Sequence, residues 1–143
     1  GSPFVRHVRG HEAALAGMPD YMHRALLRAY LQTAAHRPLS EEALTIYCAP
    51  WLGPVGQAAF YRQIAQMDQK YTDEVEPLYD RLDCPVTVLW GVQDDWIPYG
   101  KGEALAAMIS DRPLVPVQGA GHLVQEDRPE VLVAAVLKTL APA

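Results

Sequence analysis

The sequence has little of what would mark a secreted, membrane-bound or nucleic-acid-binding protein. Its 143 residues contain two cysteines, Cys48 and Cys84, in different segments and with no CxxC spacing. That pattern excludes a disulfide framework, and reduced thiols in a cytoplasmic protein are the simplest reading. There is no apolar run near the roughly 18 to 20 residues that cross a bilayer, and the N-terminus lacks a basic-then-apolar leader pattern. Basic side chains are few and scattered, 12 Lys and Arg against 17 Asp and Glu. Nothing here would neutralise a phosphate backbone or dock on anionic lipid, so nucleic acid and membrane are poor partners. His7 and His11, four apart with Glu12 adjacent, are the nearest approach to a metal site. Without an HExxH pattern or a cluster of Cys and His they read as solvated or packing residues, and no metal or cofactor is expected.

What is present is a core-forming chain, half of it hydrophobic, with two textures that meet near Asp80 to Pro85. Residues 1–80 read as a helical cap, or lid. A helix beginning at Pro19 places Met22, Leu26, Leu27, Tyr30, Leu31 and Ala34 on one side. A second starts at Ser40 as N-cap, with Glu41 and Glu42 in its first turn, and stops at Pro50. After a loop through Pro54, a third is expected from Gln57 to about Tyr71. His23 and His36 stand alone and read as helix-surface residues.

Residues 81–143 alternate strand and helix. Val86 to Trp90 is a short apolar run rich in β-branched residues, as in a strand covered on both faces, and it leaves through Gly91. A loop to Pro98 follows, then a helix over about Tyr99 to Ile109, then a strand over Leu114 to Val117 whose Pro116 favours the sheet edge. The loop Gln118 to His122 leads to a final helix with Asp127 as N-cap and Glu130 three residues on. A strand-helix-strand crossover is nearly always right-handed with parallel strands. Both loops after the strands therefore leave the same, carboxyl edge of the sheet, where open α/β sheets bind ligands. Asp94 and His122 sit in those two loops, a carboxylate and an imidazole able to meet as acid and general base. Gly119 and Gly121 permit the tight turn that would aim the imidazole into a cleft.

These segments resemble a known family. Leu89-Trp90-Gly91-Val92-Gln93-Asp94-Asp95-Trp96-Ile97-Pro98 is similar to the acid loop of α/β-hydrolase-fold proteins. Gly119-Ala120-Gly121-His122-Leu123-Val124-Gln125-Glu126-Asp127-Arg128-Pro129-Glu130 is similar to their histidine loop and last-helix entry. The resemblance covers about Leu82 to Leu140 specifically, and residues 10–80 are compatible with the family's helical cap. It implies a doubly wound, mostly parallel sheet with Asp94 as catalytic acid and His122 as catalytic base; Asp95 is the rival for the acid.

The N-terminal half of that fold is absent. No Gly-x-Ser-x-Gly elbow occurs, and Ser2, Ser40 and Ser110 lack the flanking glycines. A two-stranded parallel sheet would leave its edges and much of its faces uncovered, so a companion segment is expected and the chain alone should fold poorly. The resemblance implies a cofactor-free hydrolase of small, largely apolar molecules acting through a covalent ester. A serine nucleophile would give an esterase-like enzyme, an aspartate a dehalogenase or epoxide hydrolase, and the cap leans toward the aspartate branch. Trp51, Tyr61 and Trp96 are candidate substrate-binding residues, with packing as the alternative for each. A lyase, a cofactor-free oxygenase or a non-catalytic binding protein on the same fold are the competing readings.

Overall fold

A computed structural model describes residues 3–79 and 82–140. They form two compact units. The first comprises the described residues up to Leu31 together with Ser40–Leu78, and the second comprises Gln32–Leu39 and the residues from Tyr79 onward. The segment 32–39 therefore leaves the helical region and folds with the C-terminal residues, although the sequence pattern presents residues 1–80 as one stretch.

The first unit is helical: α1 (Pro3–Ala16), α2 (Asp20–Gln32), α3 (Glu41–Cys48), a 3-10 turn (Ala49–Trp51), α4 (Gly53–Ala65), α5 (Lys70–Val75) and a second 3-10 turn (Glu76–Leu78). Ser40 caps α3 as expected, its Oγ accepting from Ala43 N at 3.1 Å. α4 begins at Gly53, four residues before the expected start, because Pro54 fits a first helical turn whose N–H groups have no intrahelical partner. It ends at Ala65, so the expected continuous helix to Tyr71 is two helices. α1 and α4 close each other's ends. Gln57 Nε2 donates to the carbonyls of Leu15 in the last turn of α1 and of Met18 just past it, and Arg9 donates to those of Ala65, the last residue of α4, and of Met67 just past it.

The core of this unit is Val8, Leu27, Cys48, Phe60, Tyr61 and Ile64. Phe60 meets the rings of His23, Tyr30, Trp51 and Tyr61 edge-on, the geometry aromatic quadrupoles favour. His23, expected on a helix surface, is wholly buried, whereas Met22, expected inward, is 46 % exposed. The burial is tolerated because both ring nitrogens are engaged: Nε2 lies 2.9 Å from Trp51 O and Nδ1 lies 3.0 Å from Tyr61 Oη. A carbonyl only accepts, so Nε2 carries the proton and Nδ1 accepts from the tyrosine hydroxyl.

The second unit holds β1 (Leu89–Gly91), α6 (Tyr99–Ile109), β2 (Val115–Val117), α7 (Val124–Asp127) and α8 (Pro129–Leu140). The strands are parallel, with Leu89 opposite Val115, Trp90 opposite Pro116 and Gly91 opposite Val117. β1 is shorter than the Val86–Trp90 run, because ladder pairing, rather than apolarity, defines it and β2 is its sole pairing partner among the described residues. α8 buries none of its residues; Val133, Val136, Leu137 and Leu140 are each more than half exposed. Among the described residues no helix is long and apolar enough to cross a membrane.

Candidate active site

The second unit brings the two strand-exit loops together. Val92 N donates to Val117 O at 3.1 Å, Gln93 N to Ala120 O at 2.9 Å, and Gly119 N to the Gln93 side-chain oxygen at 2.8 Å. Gly91 makes this approach possible: a Cβ there would lie 2.1 Å from Gly121 O and 2.5 Å from Ala120 O. Gly119 turns the histidine loop with φ +70°, a backbone region that non-glycine residues rarely enter.

At the meeting point His122 Nδ1 lies 3.0 Å from Asp94 Oδ2. The Asp94 side chain is 4 % exposed and that of His122 is 32 % exposed, so an almost fully covered carboxylate backs a partly open imidazole. Asp94 Oδ1 accepts from the backbone N–H groups of Trp96 and Ile97, both at 2.9 Å. Those two donors lock the carboxylate and leave Oδ2 for the ring. An ionised carboxylate only accepts, so Nδ1–H points at Asp94 and Nε2 becomes the basic nitrogen. The residue that reaches the imidazole is Asp94; Asp95 is exposed beside it.

Trp96 packs over the pair. Its ring centroid is 5.0 Å from that of His122 at an interplanar angle of 32°, and its Nε1 donates to Thr33 Oγ1 at 3.0 Å. Trp51 and Tyr61 belong to the first unit. Tyr61 is wholly buried with its hydroxyl bound to His23, and burial raises its pKa, so it is a neutral donor inside the core. Trp51 packs on Phe60. His7 and His11 stack at 4.6 Å, and His11 Nδ1 lies 3.0 Å from the carbonyl of His7. Among the described residues no group of three or more His, Cys, Asp or Glu is arranged to hold a metal ion.

Asp127 does something the sequence pattern did not show. Expected as the N-cap of the last helix, it instead ends α7, and Arg128 separates it from α8. Its side chain turns away from the helix to accept from the backbone of His36, Arg37 and Gly121. Glu130, expected to complete the capping pattern, pairs with Arg128 Nε at 2.6 Å.

A parallel strand pair with a carboxylate and an imidazole at its carboxyl edge suits the closing portion of an α/β-hydrolase fold, and solved structures of that fold resemble the chain. The chain is 57 % identical to an α/β-hydrolase-fold protein from Burkholderia ambifaria, with a TM-score of 0.92 over 96 % of this chain and 51 % of that one. A thermophilic esterase from Thermogutta terrifontis matches at 20 % identity and TM-score 0.63, over 96 % of this chain and 50 % of the other. A haloalkane dehalogenase from Agrobacterium tumefaciens C58 matches at 20 % and 0.65, over 98 % and 53 %. No family model and no curated protein matches. The chain belongs to the α/β-hydrolase-fold family, and it spans about half the length of the solved structures it resembles. Esterase and dehalogenase are equally distant in sequence, so these likenesses carry the fold and leave the nucleophile open.

Proposed function

We propose that this chain supplies the acid, Asp94, and the base, His122, of a nucleophile–His–acid triad in a hydrolase of small, largely apolar molecules. The observation that carries the reading is the 3.0 Å contact between Nδ1 and Oδ2 at the carboxyl edge of two parallel strands. The nucleophile comes from the companion half of the fold. The uncovered faces support such a companion: β1 has one strand neighbour among the described residues, and the apolar side chains of α8 stand in solvent.

In the reaction a serine nucleophile gives its proton to His122 Nε2, which passes it to the leaving alcohol, whereas an aspartate nucleophile expels a halide ion or opens an epoxide ring; either way an ester with the substrate forms. His122 Nε2 then takes a proton from water as the water oxygen attacks that ester, and Asp94 stabilises the imidazolium. The acyl C–O bond then breaks: with a serine nucleophile the carboxylic acid product leaves and the proton passes from His122 to the serine oxygen, whereas with an aspartate the water oxygen stays on the regenerated carboxylate and the proton passes to the departing alcohol product. No cofactor is required. Trp96 forms a wall over the imidazole, and Trp51 and Tyr61 serve the cap as packing residues. Cys48 and Cys84 are free thiols, in keeping with a reducing cytoplasm.

The test is a panel of p-nitrophenyl esters, haloalkanes and styrene oxide offered to the complete protein and to its His122→Ala variant. Ester turnover identifies a serine enzyme; haloalkane or epoxide turnover identifies an aspartate enzyme. Turnover undiminished in His122→Ala removes the base assignment. Tight binding without turnover of any of them favours a binding protein.

A further inference from the structure

The histidine loop is held from outside itself. Asp127 is 2 % exposed, and its carboxylate bonds the backbone of His36, Arg37 and Gly121 rather than Asp94 or the imidazole. Its Oδ1 accepts from Arg37 N at 2.8 Å, while Oδ2 accepts from His36 N and from Gly121 N, each at 2.8 Å. Burial favours the neutral acid, but the three backbone donors and the nearby His36 outweigh it and hold the carboxyl below its usual range. Asp127 is therefore an anion at neutral pH, with both oxygens occupied.

The donors lie on the two sides of one junction. Gly121 precedes His122; His36 and Arg37 belong to the strap 32–39, which interrupts the helical unit in sequence but folds with the second unit. The strap also secures the residue after the histidine, because Leu123 N donates to Ala34 O at 3.0 Å. It reaches the acid loop as well, through Thr33 and Trp96 Nε1. A Cβ on Gly121 would sit 2.9 Å from His36 N and 3.0 Å from Ala34 O, so strap and loop are in backbone contact. Both peptide N–H groups nearest the imidazole on either side, Gly121 and Leu123, are thus fixed by partners outside the loop.

We infer that Asp127 is a positioning residue for His122: by pinning Gly121 N–H to the strap, it sets the loop so that Nδ1 falls on Asp94 Oδ2. The catalytic consequence rests on the proposed role of His122 as a base, whereas the positional consequence does not. Asparagine at this site would have the same size but one acceptor oxygen, and its amide N–H groups would face a backbone donor. The loop would shift by a fraction of an ångström, enough to move Nε2 off its line of attack.

The experiment uses the complete protein with Asp127→Asn, and reads two quantities beside a melting curve. One is the proton resonance of His122 Nδ1–H, identified by its loss in His122→Gln. The other is kcat against KM on whichever ester, haloalkane or epoxide the wild type accepts. The expected result is a displaced or rapidly exchanging Nδ1–H and a kcat lower by about 10- to 100-fold with KM held within about twofold. A folded Asp127→Asn protein with the wild-type resonance and wild-type kcat overturns the inference. Should that variant fail to fold, Asp127→Glu takes its place. It keeps charge and both acceptors but moves them by one methylene, and an unchanged resonance and kcat there overturn the inference equally. If the wild type hydrolyses nothing, the proposed function falls and the resonance alone decides the positioning role.

Discussion

The two units bury polar groups in opposite ways. In the helical unit the buried side chains of His23 and Gln57 meet a tyrosine hydroxyl and backbone carbonyls beside an aromatic and aliphatic core. In the second unit the carboxylates of Asp94 and Asp127 are covered, and between them they collect five backbone N–H donors and an imidazole. The first arrangement is set mainly by shape and apolar area, the second by directed, charge-assisted hydrogen bonds. Packing of the first kind tolerates small displacements, whereas the second fixes individual atoms, which general-base chemistry requires.

Substitutions can break this contrast in order of expected effect. His122→Ala should lower turnover by about 10^6-fold while the protein stays folded, measured as kcat on the accepted substrate. Asp94→Asn should cost about 10^4-fold, because the amide can present an N–H to Nδ1 and stabilise the wrong tautomer. Neither change should alter the helical unit, and a cooperative loss of its structure in either variant would erase the distinction. Phe60→Ala should do the reverse: it removes the ring at the centre of the aromatic cluster and should destabilise by about 3 to 5 kcal/mol in urea unfolding, with KM and kcat of the remaining folded protein little changed. Tyr61→Phe should cost about 1 to 3 kcal/mol, since His23 Nδ1 would be left buried without a donor.

Acid should separate the units most finely. Asp127 has a folded pKa below its ordinary value of 3.8, so in the acid range the unfolded chain binds more protons than the folded one. Its stabilising contribution is complete above the unfolded pKa and disappears as pH falls through the folded one. The histidine loop should therefore lose amide-exchange protection at Gly121 below about pH 4, before exchange rises in α4. Simultaneous loss would show that the two units unfold as one.

The pairing of Asp94 with His122 was legible because the elements that bring both residues to one sheet edge are local: a strand, a glycine and a short loop, twice over, joined by a crossover of one preferred hand. Ser40 was legible as a cap for the same reason. His23 was misread because its partner Tyr61 lies 38 residues away, and nothing in a helical stripe distinguishes a buried histidine from a solvated one. Asp127 carried a local pattern that pointed to a cap, but its partner His36 lies 91 residues away. The local signal lost to three donors that only the folded chain assembles. The short β1 was misjudged because apolarity marks what is covered, whereas a ladder requires a neighbouring strand.

The detour of residues 32–39 has a consequence for anyone exchanging the helical unit between related proteins. Grafting a foreign helical segment across the whole of 1–80 would replace the donors of His36 and Arg37, the carbonyl of Ala34 and the hydroxyl of Thr33 along with the helices. Chimaeras joined instead at 31/32 and 39/40, with the native octapeptide retained, would bring new helices while leaving the ionisable groups of the second unit in their original bed.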